Sequence, residues 1–324
     1  MTDDIFALSA PMTLTSTLAI YESQRSHMPA VDMPAVAPGM GQRAPRLRDV
    51  LGEFDALLLD GYGVLNIGAE AVPEADNMLE QARAMGLAVL VLTNGASKPS
   101  SVTAAKYPAL GLSIDPVQVV SSRDALLAAL EGNPMGISCL GVADGFAEPP
   151  QGQGHEVIAL NPEDDKGWAR ADAIGVFGAV QWTAAWQTRL EEALVQGKHV
   201  YVANPDVAAP QPGGYSREPG FWVAKAAQAM SVEARDRQIH WFGKPYAPVF
   251  DLARNRLEEI TGRSNWKDDR IAMVGDSLHT DILGGQAAGL NTVLITGHGL
   301  FRQGGADDAI SATGIMPDYI VDTV

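Results

Sequence analysis

Four groups suited to phosphoryl chemistry sit at the ends of apolar runs. Leu57, Leu58 and Leu59 close on Asp60, and residues 271–275 lead to Asp276. Val91 and Leu92 close on Thr93, followed by Asn94, while residues 239–242 lead into Gly243, Lys244 and Pro245. Short apolar runs of this kind read as strands buried in a parallel sheet. Ligands of an open parallel sheet bind at the carboxyl ends of its strands, so the four groups would converge on one crevice. Two carboxylates meeting there repel each other unless a hard cation lies between them, and Mg2+ takes such oxygen ligands. A lysine and a hydroxyl beside that cation make a site for a dianionic phosphoryl group. Singly, each feature has a plainer reading: a helix N-cap for a strand-final Asp, a turn for residues 93–95, a solvated loop for residues 243–245. Their joint order and spacing carry the chemical reading.

The elements that must position these groups alternate between strand and helix. The run 55–60, the helical spacing of Ala75, Met78, Leu79 and Ala82 before Gly86, and the run 87–93 predict a right-handed βαβ unit. Residues 117–121 and 123–130 repeat the theme. A middle block has its own rhythm: strand 173–180, helix 183–195, strand 199–203, then a helix over 220–230. Its Gly- and Pro-rich stretch 145–154 reads as a loop. A helix over 247–261, a strand to Asp276, a helix over 282–288 and strands at 292–296 and 319–321 follow. The predicted fold is α/β, a doubly wound parallel-sheet core with an inserted α/β module. The core spans 46–128 and 240–324, and the insertion 129–239. Residues 1–45 form an amino-terminal extension, read from its Met, Pro, Ala and Ser content as a flexible or surface-packed arm with a short helix over 12–23.

Composition narrows the classes. At ~150 residues per domain, 324 residues suggest about two domains. The single cysteine, Cys139, permits no intrachain disulfide and suits a reducing compartment. With 23 Lys and Arg against 39 Asp and Glu, the net charge of −16 leaves little cation for a nucleic-acid face or an acidic membrane surface. No window approaches the ~18 apolar residues of a membrane span. The acidic start, with Asp3 and Asp4, lacks the basic end of a secretory signal, so a cytoplasmic protein is expected. A nicotinamide-binding fingerprint and a phosphate-binding P-loop both need glycine spacings that this sequence lacks.

The stretches 57–65, 91–94, 243–245 and 275–282 together resemble the haloacid dehalogenase superfamily of phosphohydrolases. The Thr93-Asn94 form of the second motif, Gly243-Lys244-Pro245 and the form of residues 275–281 point to subclass IIA. That subclass carries a large α/β cap between the second and third motifs and includes sugar-phosphate and nitrophenyl-phosphate phosphatases. Residues 202–206, with Asn204 and Asp206, also look like its cap. The resemblance covers about residues 50–324. It implies Asp60 as nucleophile, forming an aspartyl-phosphate, and Mg2+ held by Asp60, the Tyr62 carbonyl and Asp276, with Asp281 in support. It implies Thr93 and the Asn94 amide on the phosphoryl oxygens, Lys244 balancing charge, Asn204 and Asp206 as contacts to the core, a small phosphorylated substrate, and a homodimer.

One position departs from the pattern. Most relatives that cleave phosphate esters carry a second aspartate two residues after the nucleophile, which protonates the leaving alcohol. Here that residue is Tyr62, whose ordinary pKa of ~10 makes it a poor substitute. General acid–base help is worth ~10²–10⁴ in rate. Its loss should weigh on alkyl phosphates and matter little for nitrophenyl or acyl phosphates, whose leaving groups need no proton. Three explanations stand: a proton from elsewhere (His279, His298 or a cap acid), a substrate with a good leaving group, or a slow or lapsed enzyme that binds a phosphorylated ligand. Trp182, Trp186 and Trp222 read as core rather than pocket, Cys139 as a buried small hydrophobe, and the remaining histidines show no zinc-ligand spacing.

Overall fold

A computed structural model describes residues 4–31, 41–144, 148–150, 154–211 and 213–324. The strands in chain order begin with β1 (Gln42–Arg46), β2 (Ala56–Leu59), the short pair β3 (Asn66–Ile67) and β4 (Glu70–Ala71), β5 (Ala88–Thr93) and β6 (Val119–Ser121). They continue with β7 (Cys139–Ala143), β8 (Glu156–Ala159), β9 (Ala173–Val176), β10 (His199–Val202) and the hairpin β11 (Ala208–Gln211) and β12 (Gly214–Arg217). The last are β13 (Ile239–Trp241), β14 (Ile271–Gly275), β15 (Asn291–Ile295) and β16 (Tyr319–Thr323).

Two parallel sheets result. The first has seven strands in the order β1-β16-β15-β14-β2-β5-β6, and the second five in the order β13-β10-β9-β7-β8. β2, β14 and most of β5 are buried on both faces, as their unbroken Leu, Val and Ala runs require. Helix Ala247–Thr261 ends at Gly262, whose left-handed backbone closes it. The sheets share apolar contacts: Leu58, Leu92 and Met273 of the first lie in one cluster with Leu140, Phe177 and Tyr201 of the second. Trp182, Trp186 and Trp222 pack in the core of the second sheet, with Trp182 and Trp222 stacked 6.1 Å apart, and Cys139 is buried in β7.

Of the two readings of the amino-terminal segment, flexible or surface-packed, it takes the packed one and goes further, burying side chains in both cores. Its helix α1 (Leu14–Ser23) starts at Thr13, which exchanges capping hydrogen bonds with Ser16. Phe6, Met12, Ile20 and Tyr21 are buried in the second sheet's core, while Leu14 and Leu18 pack on the first sheet's side. β1 then pairs in parallel with β16 at the edge of the first sheet. Its composition hid this because the buried residues are few and their partners lie far along the chain. Residues 32–40, and 145–147 and 151–153 of the stretch read as a loop, lie outside the described residues.

Candidate active site

The carboxyl ends of β2, β5 and β14 bring the sequence-predicted groups together. The Asp60 amide donates to the Val274 carbonyl at 2.8 Å, which fixes the turn out of β2 beside β14. Lys244 is buried; its ammonium donates to Asp60 Oδ1 at 2.9 Å and to the Leu92 carbonyl at 2.9 Å, and forms an ion pair with Asp281 Oδ1 at 2.7 Å. Burial alone would lower this ammonium, but Asp281 and Asp60 overcome that cost and hold it above its ordinary value.

Asp60, Asp276 and Asp281 each offer an oxygen within 4.8 Å of the others. Burial, then the charges of Asp60 and Asp281, push the Asp276 carboxyl well above its usual range. Burial likewise raises Asp281 to about 6, with Lys244 pulling the other way. The backbone satisfies part of the set: Leu300 N donates to Asp276 Oδ2 at 2.7 Å, and Ser277 N donates to Asp281 Oδ2 at 3.1 Å. Three acids against one ammonium leave a negative cluster whose hard oxygen donors fit Mg2+. Gly63 belongs to this packing, with φ of +77° and a Cβ position that would lie 2.7 Å from Asp276 Oδ2.

A cavity of about 50 Å³ opens over these groups. Asp60, Tyr62 and Asp276 line it from the first sheet, Asp206 from the second, and Lys244 from the loop after β13 of the second sheet. Thr93 and Asn94 stand outside its lining. The Thr93 hydroxyl accepts from the Gly95 amide at 3.1 Å. The Asn94 side chain works as a clamp: its Oδ1 accepts from Lys244 N at 2.8 Å, and its Nδ2 donates to the Lys244 carbonyl at 3.1 Å and to Asp206 Oδ1 at 2.8 Å. Asn204 Oδ1 accepts from Asp206 N at 2.9 Å and so sets the turn that presents Asp206. Asp206 keeps part of its surface open to the cavity, yet loss of hydration raises its carboxyl to about 7. Tyr62 lines the cavity, and burial raises its hydroxyl further from the range of a useful acid.

Two of the three proton sources considered from sequence face elsewhere. His279 Nε2 is 2.6 Å from Glu22 Oε1, and its ring stacks on Tyr21 at 4.8 Å. His298 Nε2 is 3.0 Å from the Thr323 hydroxyl. Sequence reasoning missed Tyr21, which lines the cavity, and Tyr107, whose hydroxyl lies 2.7 Å from where a Cβ on Gly61 would be. Tyr21 had no signal, since it lies outside every motif, whereas the glycine after Asp60 hints at a close neighbour.

Family models agree with this arrangement. The haloacid dehalogenase-like hydrolase model matches residues 57–149, and the HAD-hydrolase-like model matches residues 241–324. The chain is 30% identical to chronophin of Bos taurus over 304 residues, covering 87% of this chain and 95% of that protein. It is 28% identical to dihydroxyacetone phosphatase of Corynebacterium glutamicum over 272 residues, covering 82% of this chain and 88% of that one. Among solved structures, glycerol phosphate phosphatase of Mycobacterium tuberculosis in complex with magnesium superposes with a TM-score of 0.59 at 23% identity, covering 77% of this chain and 70% of that one.

Proposed function

The chain belongs to the haloacid dehalogenase-like hydrolases and is a phosphatase, and on that premise we propose that it hydrolyses a small phosphate monoester through an aspartyl-phosphate on Asp60. One observation carries the reading: Lys244, wholly buried, spans Asp60 and Asp281 at the mouth of β2. A buried ammonium held to a strand-final carboxylate, with two more acids beside it, is a costly arrangement for a purely structural role. It suits a site where a phosphoryl dianion and a divalent cation arrive together.

In this reading Asp60, Asp276 and Asp281 would hold Mg2+, with Tyr62 contributing its carbonyl. The bound ion would offset the acids and draw charge from the phosphoryl oxygens. Asp60 attacks phosphorus, the bond to the leaving oxygen breaks, and water then hydrolyses the acyl phosphate to return Asp60 and phosphate. Lys244 supplies positive charge to the nucleophile and the phosphoryl group, while Thr93 and the Asn94 amide bind phosphoryl oxygens. The proton for the leaving alcohol comes from Asp206. It lines the same cavity as Asp60, and its Oδ1 accepts from Asn94 Nδ2. A carboxyl near 7 suits a general acid at neutral pH.

The test uses acetyl phosphate with Mg2+, a small substrate whose leaving group needs no proton. Turnover is expected, and Asp60→Asn should reduce it by at least ~10³. Activity retained in Asp60→Asn would remove Asp60 from the nucleophile role. Mg2+-dependent binding without turnover would favour a non-catalytic phosphate-binding protein.

A further inference from the structure

The smallest feature of the site is its room. A cavity of about 50 Å³ has room for only a few waters. Drug-sized ligand sites run to roughly 300–1,000 Å³. A phosphoryl group nearly fills this space. What closes it is not one of the motif loops alone: Tyr21, from the amino-terminal segment, forms part of its wall together with Ala208, Ala209 and Pro210 of β11.

Tyr21 is held from both sides. Its hydroxyl accepts from the Val207 amide of the second sheet's module at 3.1 Å. Its ring lies flat on the buried His279 of the loop after β14, with 5° between the planes. The flanking residues are anchored as well. Glu22 is bound to His279, and Gln24 accepts from Arg235. Arg217 donates to the carbonyls of Ala7, Leu8 and Ala10. Phe6 packs on Phe221 at 5.6 Å. A side chain fixed by packing, a hydrogen bond and a stacked ring is a rigid wall, and rigid walls discriminate by size.

We infer that Tyr21 is a specificity-determining residue that restricts this site to phosphorylated compounds with a small non-phosphoryl part and excludes an aromatic ring. The inference takes the anionic group from the phosphatase reading above and adds the size limit. It also changes one expectation drawn from sequence. Nitrophenyl phosphate has the right leaving group but the wrong bulk, so acetyl phosphate is the better substrate of the two.

The test separates size from chemistry by using phosphonates, whose P–C bond is not hydrolysed. Calorimetric titration with Mg2+ compares methylphosphonate and phenylphosphonate on the full chain and on Tyr21→Phe, Tyr21→Leu and Tyr21→Ala. The wild type and Tyr21→Phe should bind phenylphosphonate at least tenfold more weakly than methylphosphonate. In Tyr21→Ala that ratio should fall below threefold, and Tyr21→Leu, which keeps apolar packing, serves if the alanine variant unfolds. Equal binding of the two ligands by the wild type, or an unchanged ratio in a folded Leu or Ala variant, overturns the inference while leaving the phosphatase reading intact. Binding of neither phosphonate by any form overturns the phosphate site and the size limit together. Size discrimination that follows Tyr21 without any turnover of acetyl phosphate upholds the inference and sinks the hydrolase reading.

Discussion

At the scale of single residues, the departure at Tyr62 and the placement of Asp206 belong to one account. The family position for the acid is filled by a phenol that burial pushes upward. Across the cavity stands a carboxyl raised to about 7. The titratable groups that face Asp206 are Asp60 and Asp281 from the first sheet's loops, Lys244 from the loop after β13, and Tyr21 from α1. For glycerol phosphate, whose alkoxide needs a proton, Asp206→Asn should lower kcat by ~10²–10⁴. For acetyl phosphate the same substitution should change kcat only a few-fold. Equal loss on both substrates would assign Asp206 to binding. A general acid must be protonated, so wild-type kcat/KM on glycerol phosphate should fall as pH rises through about 7, and this limb should vanish in the variant. Stability follows the same proton. Folding raises this carboxyl from 3.8 to about 7, so its contribution is full below about pH 4 and is lost as pH rises through the folded value.

At the scale of elements, α1 is the piece whose importance the sequence concealed. The motif loops were legible because strand-final residues follow local apolar runs, and a parallel sheet gathers its strand ends at one edge. Asp60 and Asp276 could therefore be placed from spacing alone, whereas Lys244 follows β13 of the second sheet and reaches them from the junction between the sheets. Asn94 was legible as a site residue, but its use as a clamp between Lys244 and Asp206 was not. That bond depends on where the second sheet comes to rest. The contact of Glu22 with His279 joins residues 257 apart in sequence, and no periodicity encodes such a pairing. Glu22→Ala should leave a buried imidazole nitrogen without its partner, at a cost of about 1–3 kcal/mol. The melting temperature should fall by a few degrees, and amide exchange should quicken over α1 more than over β2. Uniform quickening, or none, would show that α1 is not held through this contact.

For the whole molecule, the net charge of −16 acquires a local consequence. No helix among the described residues is long and apolar enough to cross a membrane, and three of the acids, Asp60, Asp276 and Asp281, meet at the junction of β2 and β14. There the three carboxylates offer oxygens within 4.8 Å of one another, and the Lys244 ammonium forms ion pairs with two of them. The folded chain therefore stores repulsion that an arriving cation relieves, and the unfolded chain, with these residues dispersed, does not. Binding to the folded state alone stabilises it by about 2.7 kcal/mol at a hundredfold excess over Kd. Mg2+ should accordingly raise the melting temperature in a saturable way, and chelation should reverse the rise. Asp276→Asn removes one ligand and one source of repulsion at once, so its metal-free form should melt no lower than the wild type while its response to Mg2+ is lost. Na+ at equal ionic strength should not reproduce the wild-type rise, because screening acts weakly on buried charges. A Mg2+ response that persists in Asp276→Asn would place the ion elsewhere on this acidic surface and leave the cluster as a proton-holding network.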